Sequence, residues 1–199
     1  MEEFKRFDTL LDADGRNLHF GGFSDSGEFA RTSLTNHHAI VADVVLHDGV
    51  PEDVRSYFNT IKNLCVFGWY VYGFYALCDF LSMTAIELAL NIRFPDAANQ
   101  KRPLTLRPLL ELARQEGLLH DENFEVVQRQ REYSARADED DVTEVQDDQR
   151  HVRIVTDTLP RLRNWAAHPT HHSVRLPSDA RAALQRSAEI INQLFKRVP

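Results

Sequence analysis

The stretch Asp53–Arg93, DVRSYFNTIKNLCVFGWYVYGFYALCDFLSMTAIELALNIR, decides the architecture. It holds no proline and only two glycines, Gly68 and Gly73, and Pro95 closes it, so it reads as one long helix or as two joined near those glycines. Pro51-Glu52-Asp53 makes a good first turn, because proline lacks only a donor that would be orphaned there anyway and acids favour the positive end of a helix. Within the stretch, Asn63–Cys78 is a run of 16 uncharged residues containing Phe67, Trp69, Tyr70, Tyr72, Phe74 and Tyr75. A membrane-crossing helix needs about 20 apolar residues. This run is cut by Asp79 and followed by Glu87, so no membrane span is expected. A helix that is apolar around most of its circumference must be buried on most sides, which predicts the centre of a bundle plus a subunit interface. Read as one continuous helix, the stretch sets Cys65 and Cys78 about 19 Å apart along its axis, so they cannot pair within one chain.

Further helices follow. Leu104–Glu116 closes at Gly117 and places Leu106, Leu109, Leu110 and Ala113 at helical spacing. Asn123–Ala137 continues with a sparser pattern, and Asp138-Glu139-Asp140-Asp141 reads as a solvated charge run rather than a metal site. A helix is expected from about Gln146 to His168, bent at Pro160, and a last amphipathic one, capped by Ser178, ends near Lys196. Residues 1–50 differ: they carry five of the eight glycines and read as an extended arm with Ala39–Leu46 as a candidate strand. The class expected is all-α, a helical domain over 51–199 with an N-terminal extension over 1–50.

At 199 residues with 43% apolar and 27% charged residues, the chain is an ordinary globular one, able to bury a core without staples. Two cysteines and no apolar leader in the first 20 residues predict a reduced, cytoplasmic protein. The net charge of −7 argues against a long nucleic-acid groove, but the charge is uneven. Residues 116–148 hold three Lys or Arg against 12 Asp or Glu, whereas residues 149–199 hold nine against three and four of the nine histidines. That basic island can attract a phosphate.

Gly-rich phosphate loops, nucleophile elbows, Cys-x-x-Cys pairs and His-Glu-x-x-His helices are all missing from the sequence. What remains is Leu162-Arg163-Asn164-Trp165-Ala166-Ala167-His168-Pro169. Proline disfavours helical geometry in the residue before it, so the helix should end near His168, where free carbonyls and the negative end of the helix dipole attract positive charge. Asn164 lies four residues earlier, about 40° round the helix, and can hydrogen-bond to His168. Arg163 points about 140° away, within the swing of its long side chain. A charged fork beside a proton-transferring imidazole suits phosphodiester chemistry.

Arg163, Asn164 and His168 resemble the signature of the HEPN superfamily of all-helical proteins: an arginine, usually a polar residue next, and a histidine four to six positions after the arginine. The long aromatic helix with Glu87-Leu88-Ala89-Leu90 near its end and the short Leu-rich helix after it are similar too, so that the likeness covers roughly residues 50–197. The resemblance implies a metal-independent endoribonuclease, active as a homodimer whose two motif helices form one cleft. It implies His168 as proton carrier at the RNA 2′-hydroxyl or the leaving oxygen, Arg163 on the scissile phosphate, and Asn164 orienting both. It also implies a role as a toxin or antiphage-defence effector held by an antitoxin protein. Arg161, His171 and His172 are candidate substrate contacts. No cofactor is expected, and His168, His171 and His172 lack the cysteine or carboxylate that would complete a zinc site. The structural alternatives are that Arg163 pairs with an acid such as Asp157 and that His168 is a C-capping residue, and Trp165 is expected in the core whatever the function. The competing expectation for the whole chain is a non-catalytic helical dimerisation or nucleotide-sensing module.

Overall fold

The computed structural model describes residues 4–23, 27–98, 101–102, 104–136, 149–168 and 174–196, and the acidic run Asp138–Asp141 and the pair His171 and His172 lie outside them. Among the described residues the chain forms eight α-helices and one two-stranded sheet, an all-α class. The helices are α1 (Leu34–Ala42), α2 (Glu52–Phe67), α3 (Phe74–Arg93), α4 (Pro95–Ala98), α5 (Leu106–Gln115), α6 (Glu125–Arg136), α7 (Arg150–Ala167) and α8 (Pro177–Leu194).

The decisive stretch is two helices. The chain turns back through residues 68–73, and α2 and α3 form an antiparallel hairpin, tied at its far end by a 2.8 Å hydrogen bond between the hydroxyls of Tyr57 and Thr84. Gly68 makes the turn feasible, since a Cβ there would lie 2.4 Å from the Tyr75 ring. The hairpin overturns the separation argued for the cysteines: Cys65 and Cys78 are both buried and free, and the neighbouring Cys65 thiol together with burial pushes the Cys78 thiol up.

Helix α3 is the spine of the bundle. One side buries Tyr75, Cys78, Ser82, Met83, Ala85, Ile86, Ala89 and Leu90. Small residues let α8 come close, and the Ser187 hydroxyl donates to the Ser82 carbonyl at 2.9 Å. Of the rest of α3, Leu77 (49%), Ile92 (37%) and Arg93 are exposed and the remaining residues are half-buried. Helix α3 has the length and composition of a membrane span, and 44% of its apolar window is buried within the bundle.

Residues 1–50 depart from expectation. Ala39–Leu46 is not a strand: Ser33 accepts a hydrogen bond from the Asn36 backbone N–H and opens α1, which buries His37 and Val41 one turn apart. The strands lie earlier, β1 (Gly21–Phe23) against β2 (Phe29–Arg31), antiparallel with Gly22 opposite Ala30. This segment also seals the hairpin turn, for the Asn17 amide donates to the carbonyls of Gly68 (3.0 Å) and Trp69 (2.9 Å). Val41, Val44 and Val50 join the same apolar core as α2, α3 and α8.

Helix α5 buries the four residues its spacing marked, Leu106, Leu109, Leu110 and Ala113, and Gly117 follows at φ +66°, a left-handed position that suits glycine. The cap of α8 is displaced: the helix opens at Pro177, Leu176 is its N-cap residue, and the Leu176 N–H donates to Asp179, so Ser178 lies inside it.

Candidate functional site

The site is set by α7. Its first turn is capped from another element: the buried Asp121 carboxylate accepts from the backbone N–H groups of His151 and Val152, both at 2.8 Å. A negative group on two orphan donors at a positive helix end fixes where α7 begins and therefore the angular phase of every later residue. Val152, Val155, Thr156, Leu159 and Pro160 face the core. The helix ends at Ala167, and His168 is the C-cap residue, its N–H donating to the Asn164 carbonyl at 3.1 Å. The termination expected from the proline that follows is therefore observed.

The three motif side chains diverge within one subunit. Asn164 and His168 are exposed near the end of α7, and no hydrogen bond joins their side chains. Arg163 turns the other way, toward α3, where its Nη2 donates to Glu87 Oε2 at 3.0 Å. Both partners are largely covered, at 30% and 25% side-chain exposure. The guanidinium is only partly used: Nη2 alone meets an acceptor among the described residues, and Nε is shut from solvent without one. The acid expected for Arg163 was Asp157, but Asp157 pairs with Arg107 of α5 instead.

Trp165 is not core. Half of it is exposed (51%), on the solvent side of α7 with Ile154, Arg161 and Leu162. Arg175, just before α8, lays its guanidinium carbon 5.5 Å from the Trp165 ring centroid and donates from Nε to Asp79 at 2.9 Å. Burial raises the Asp79 carboxyl above its ordinary range, against the pull of Arg175 and Arg186. Burial likewise lowers Arg186, which lies near Asp79 and Glu189.

Of the residues marked in the sequence, Arg161 is exposed on the same face as Trp165, and His171 and His172 are not among those described. Four site-forming residues went unmarked: Asp79, Glu87, Asp121 and Arg175. Two carried a signal, since a lone acid in an apolar helix demands a basic partner when the helix is buried. Among the described residues no group of three His, Cys, Asp or Glu side chains is placed to hold a metal ion. A shallow apolar groove of about 520 Å³, lined by Leu11, Leu34, Val66, Phe67 and Tyr70, includes no motif residue. No family model, curated protein or solved structure matches this chain.

Proposed function

We propose that the chain is a metal-independent endoribonuclease of the HEPN type, a cytoplasmic homodimer that cleaves RNA at a cleft shared by two copies of α7. The observation that carries this reading is the open imidazole of His168 at the free end of α7; Arg163 of the same copy faces Glu87 on α3, so the guanidinium beside each imidazole would come from the second copy. With Nη2 on Glu87 and Nε closed to solvent, the reserve for a phosphate is Nη1, which meets no acceptor among the described residues. Leu77 and Ile92, exposed on α3, supply apolar surface for the second copy.

In the reaction, the ribose 2′-oxygen attacks phosphorus and the bond to the 5′-oxygen breaks. His168 of one copy accepts the 2′-hydroxyl proton, the imidazole of the second copy delivers one to the leaving 5′-oxygen, and Arg163 carries the charge building on the phosphoryl oxygens. The product is a 2′,3′-cyclic phosphate. A role as a toxin or defence effector restrained by an antitoxin fits a chain whose activity would harm its host.

A second reading is favoured by the same ion pair, because Arg163 against Glu87 is also how a purely structural arginine is held. In that reading the chain is a non-catalytic dimerisation or nucleotide-sensing module. Incubation of the purified dimer with single-stranded RNA in EDTA separates the two. The nuclease reading expects cyclic-phosphate ends, a loss of about 100-fold or more in His168→Ala, and a smaller loss in Glu87→Gln, which frees Arg163 without removing it. Cleavage that survives His168→Ala, or no cleavage of any RNA by the unaltered dimer, refutes it.

A further inference from the structure

We propose that Trp165, braced by Arg175, is a stacking platform for an unpaired base of single-stranded RNA beside the candidate cleavage site, with Arg161 holding a flanking phosphate. The inference deepens the nuclease reading and rests on it for the kind of strand bound.

An indole so exposed in a globular chain calls for an explanation, because a large aromatic gains most from burial. Three observations converge on this one. Arg161 precedes it by four residues and His168 follows it by three, so the three occupy neighbouring positions over about one turn each way of the solvent face of α7. Arg175 approaches the ring within cation–π range and is itself tied to Asp79, whose side chain is only 13% exposed. The indole is therefore braced by an anchored cation while about half of it meets solvent. The whole segment belongs to the basic part of an otherwise acidic chain.

A rigid aromatic among cations is what a flexible strand needs from a protein. The π-face takes any base, and the Arg161 guanidinium takes the backbone. Duplex RNA has its bases already stacked on each other and offers no free face. The platform therefore selects single strands, loops and ends, on the same solvent face of α7 as His168.

The test uses intrinsic fluorescence. The protein has two tryptophans, and Trp69 is only 8% exposed, so a ligand at the surface reports through Trp165. The probe is a 2′-O-methyl oligouridylate, which lacks the attacking hydroxyl, compared with the same strand annealed to its complement. The single strand should quench emission of the unaltered dimer, and the quench should vanish in Trp165→Phe while binding persists. Trp165→Ala should weaken binding about 5- to 150-fold. Absent quenching while the unaltered dimer still cleaves RNA overturns the platform and leaves the nuclease reading intact. Quenching by a strand that the unaltered dimer never cleaves in its 2′-hydroxyl form does the reverse. If acrylamide cannot reach Trp165 in the free protein, a second copy covers it and the platform is overturned.

Discussion

Replacing Gly68 by alanine sets two effects of opposite sign against each other at the turn that makes the helical hairpin. The backbone there is helical, φ −56° and ψ −20°, so alanine suits it and brings up to about 1 kcal/mol from propensity and a less flexible unfolded chain. The space is not helical-surface space. A Cβ would stand 2.4, 2.7 and 2.8 Å from three atoms of the Tyr75 ring. Carbon atoms prefer about 3.5–4.0 Å, so the ring would have to retreat by roughly 1 Å.

Tyr75 has nowhere to go. It has no exposed surface, its ring meets Tyr72 edge-on at 5.2 Å and His37 at 5.7 Å, and its hydroxyl donates to Asn17 Oδ1 at 3.3 Å. Overpacking a tight core costs about 1–3 kcal/mol, and loosening the Asn17 bond adds about 1 kcal/mol. Packing wins over propensity, and Gly68→Ala should lower the unfolding free energy by about 1–3 kcal/mol. Urea unfolding followed by circular dichroism reads the difference directly. Gly15→Ala, where a Cβ meets nothing within 4 Å, is the control and should stay within about 0.5 kcal/mol. A Gly68→Ala protein as stable as its parent would refute the close approach and the packing of α2 on α3 with it.

Two further predictions concern the same frame. Asp121→Ala removes two charge-assisted bonds from the first turn of α7 and should cost about 2–3 kcal/mol in urea unfolding, with faster amide exchange at His151 and Val152; protection unchanged at both amides would sink it. His37 and His151 are both lowered from 6.5 by burial, so the unfolded chain binds protons that the folded one refuses, and stability should fall as pH drops below about 6.5. Asp79 and Glu189, raised by burial, work in the opposite sense nearer the carboxylate range. His37→Gln isolates the first effect: between pH 7.5 and 5.5 its unfolding free energy should change less than that of the unaltered chain, and equal changes would exclude His37 as a contributor.

The helices were legible where their apolar period agrees with what they pack on. Leu106, Leu109, Leu110 and Ala113 repeat at helical spacing and are all buried, and His168 ends its helix because proline follows. The hairpin was less legible, because an aromatic run with no charge offers no turn signal beyond two glycines, and only the pairing of Gly68 with Tyr75 decides it. Ala39–Leu46 misleads through its valines and isoleucine, residues with strand preference, whereas the Ser33 cap and the one-turn spacing of His37 and Val41 select a helix. Trp165 misleads for the opposite reason. Its size predicts burial, and the α7 register that the Asp121 cap sets turns it outward.

That register carries over to the chemistry through α3. Its two carboxylates, Asp79 and Glu87, stand eight residues apart, about 12 Å along the axis, and each holds one arginine from a later part of the chain. Arginine side chains carry about 2 kcal/mol of rotamer entropy each, so two of them left free would not hold one arrangement for a ligand. Each is anchored at one nitrogen by an acid of α3: Arg163 on the side of α7 away from Trp165 and His168, and Arg175 against the Trp165 ring. Arg163 meets Glu87 through Nη2 alone and keeps Nε buried without an acceptor. An unused donor in a covered place is a cost that folding does not require. The Nε atoms of Arg55 and Arg186 are buried without an acceptor as well, so this feature alone does not separate a holder of a ligand from a brace of the fold. Glu87→Gln is the variant that does: a brace loses unfolding free energy, a holder loses RNA cleavage.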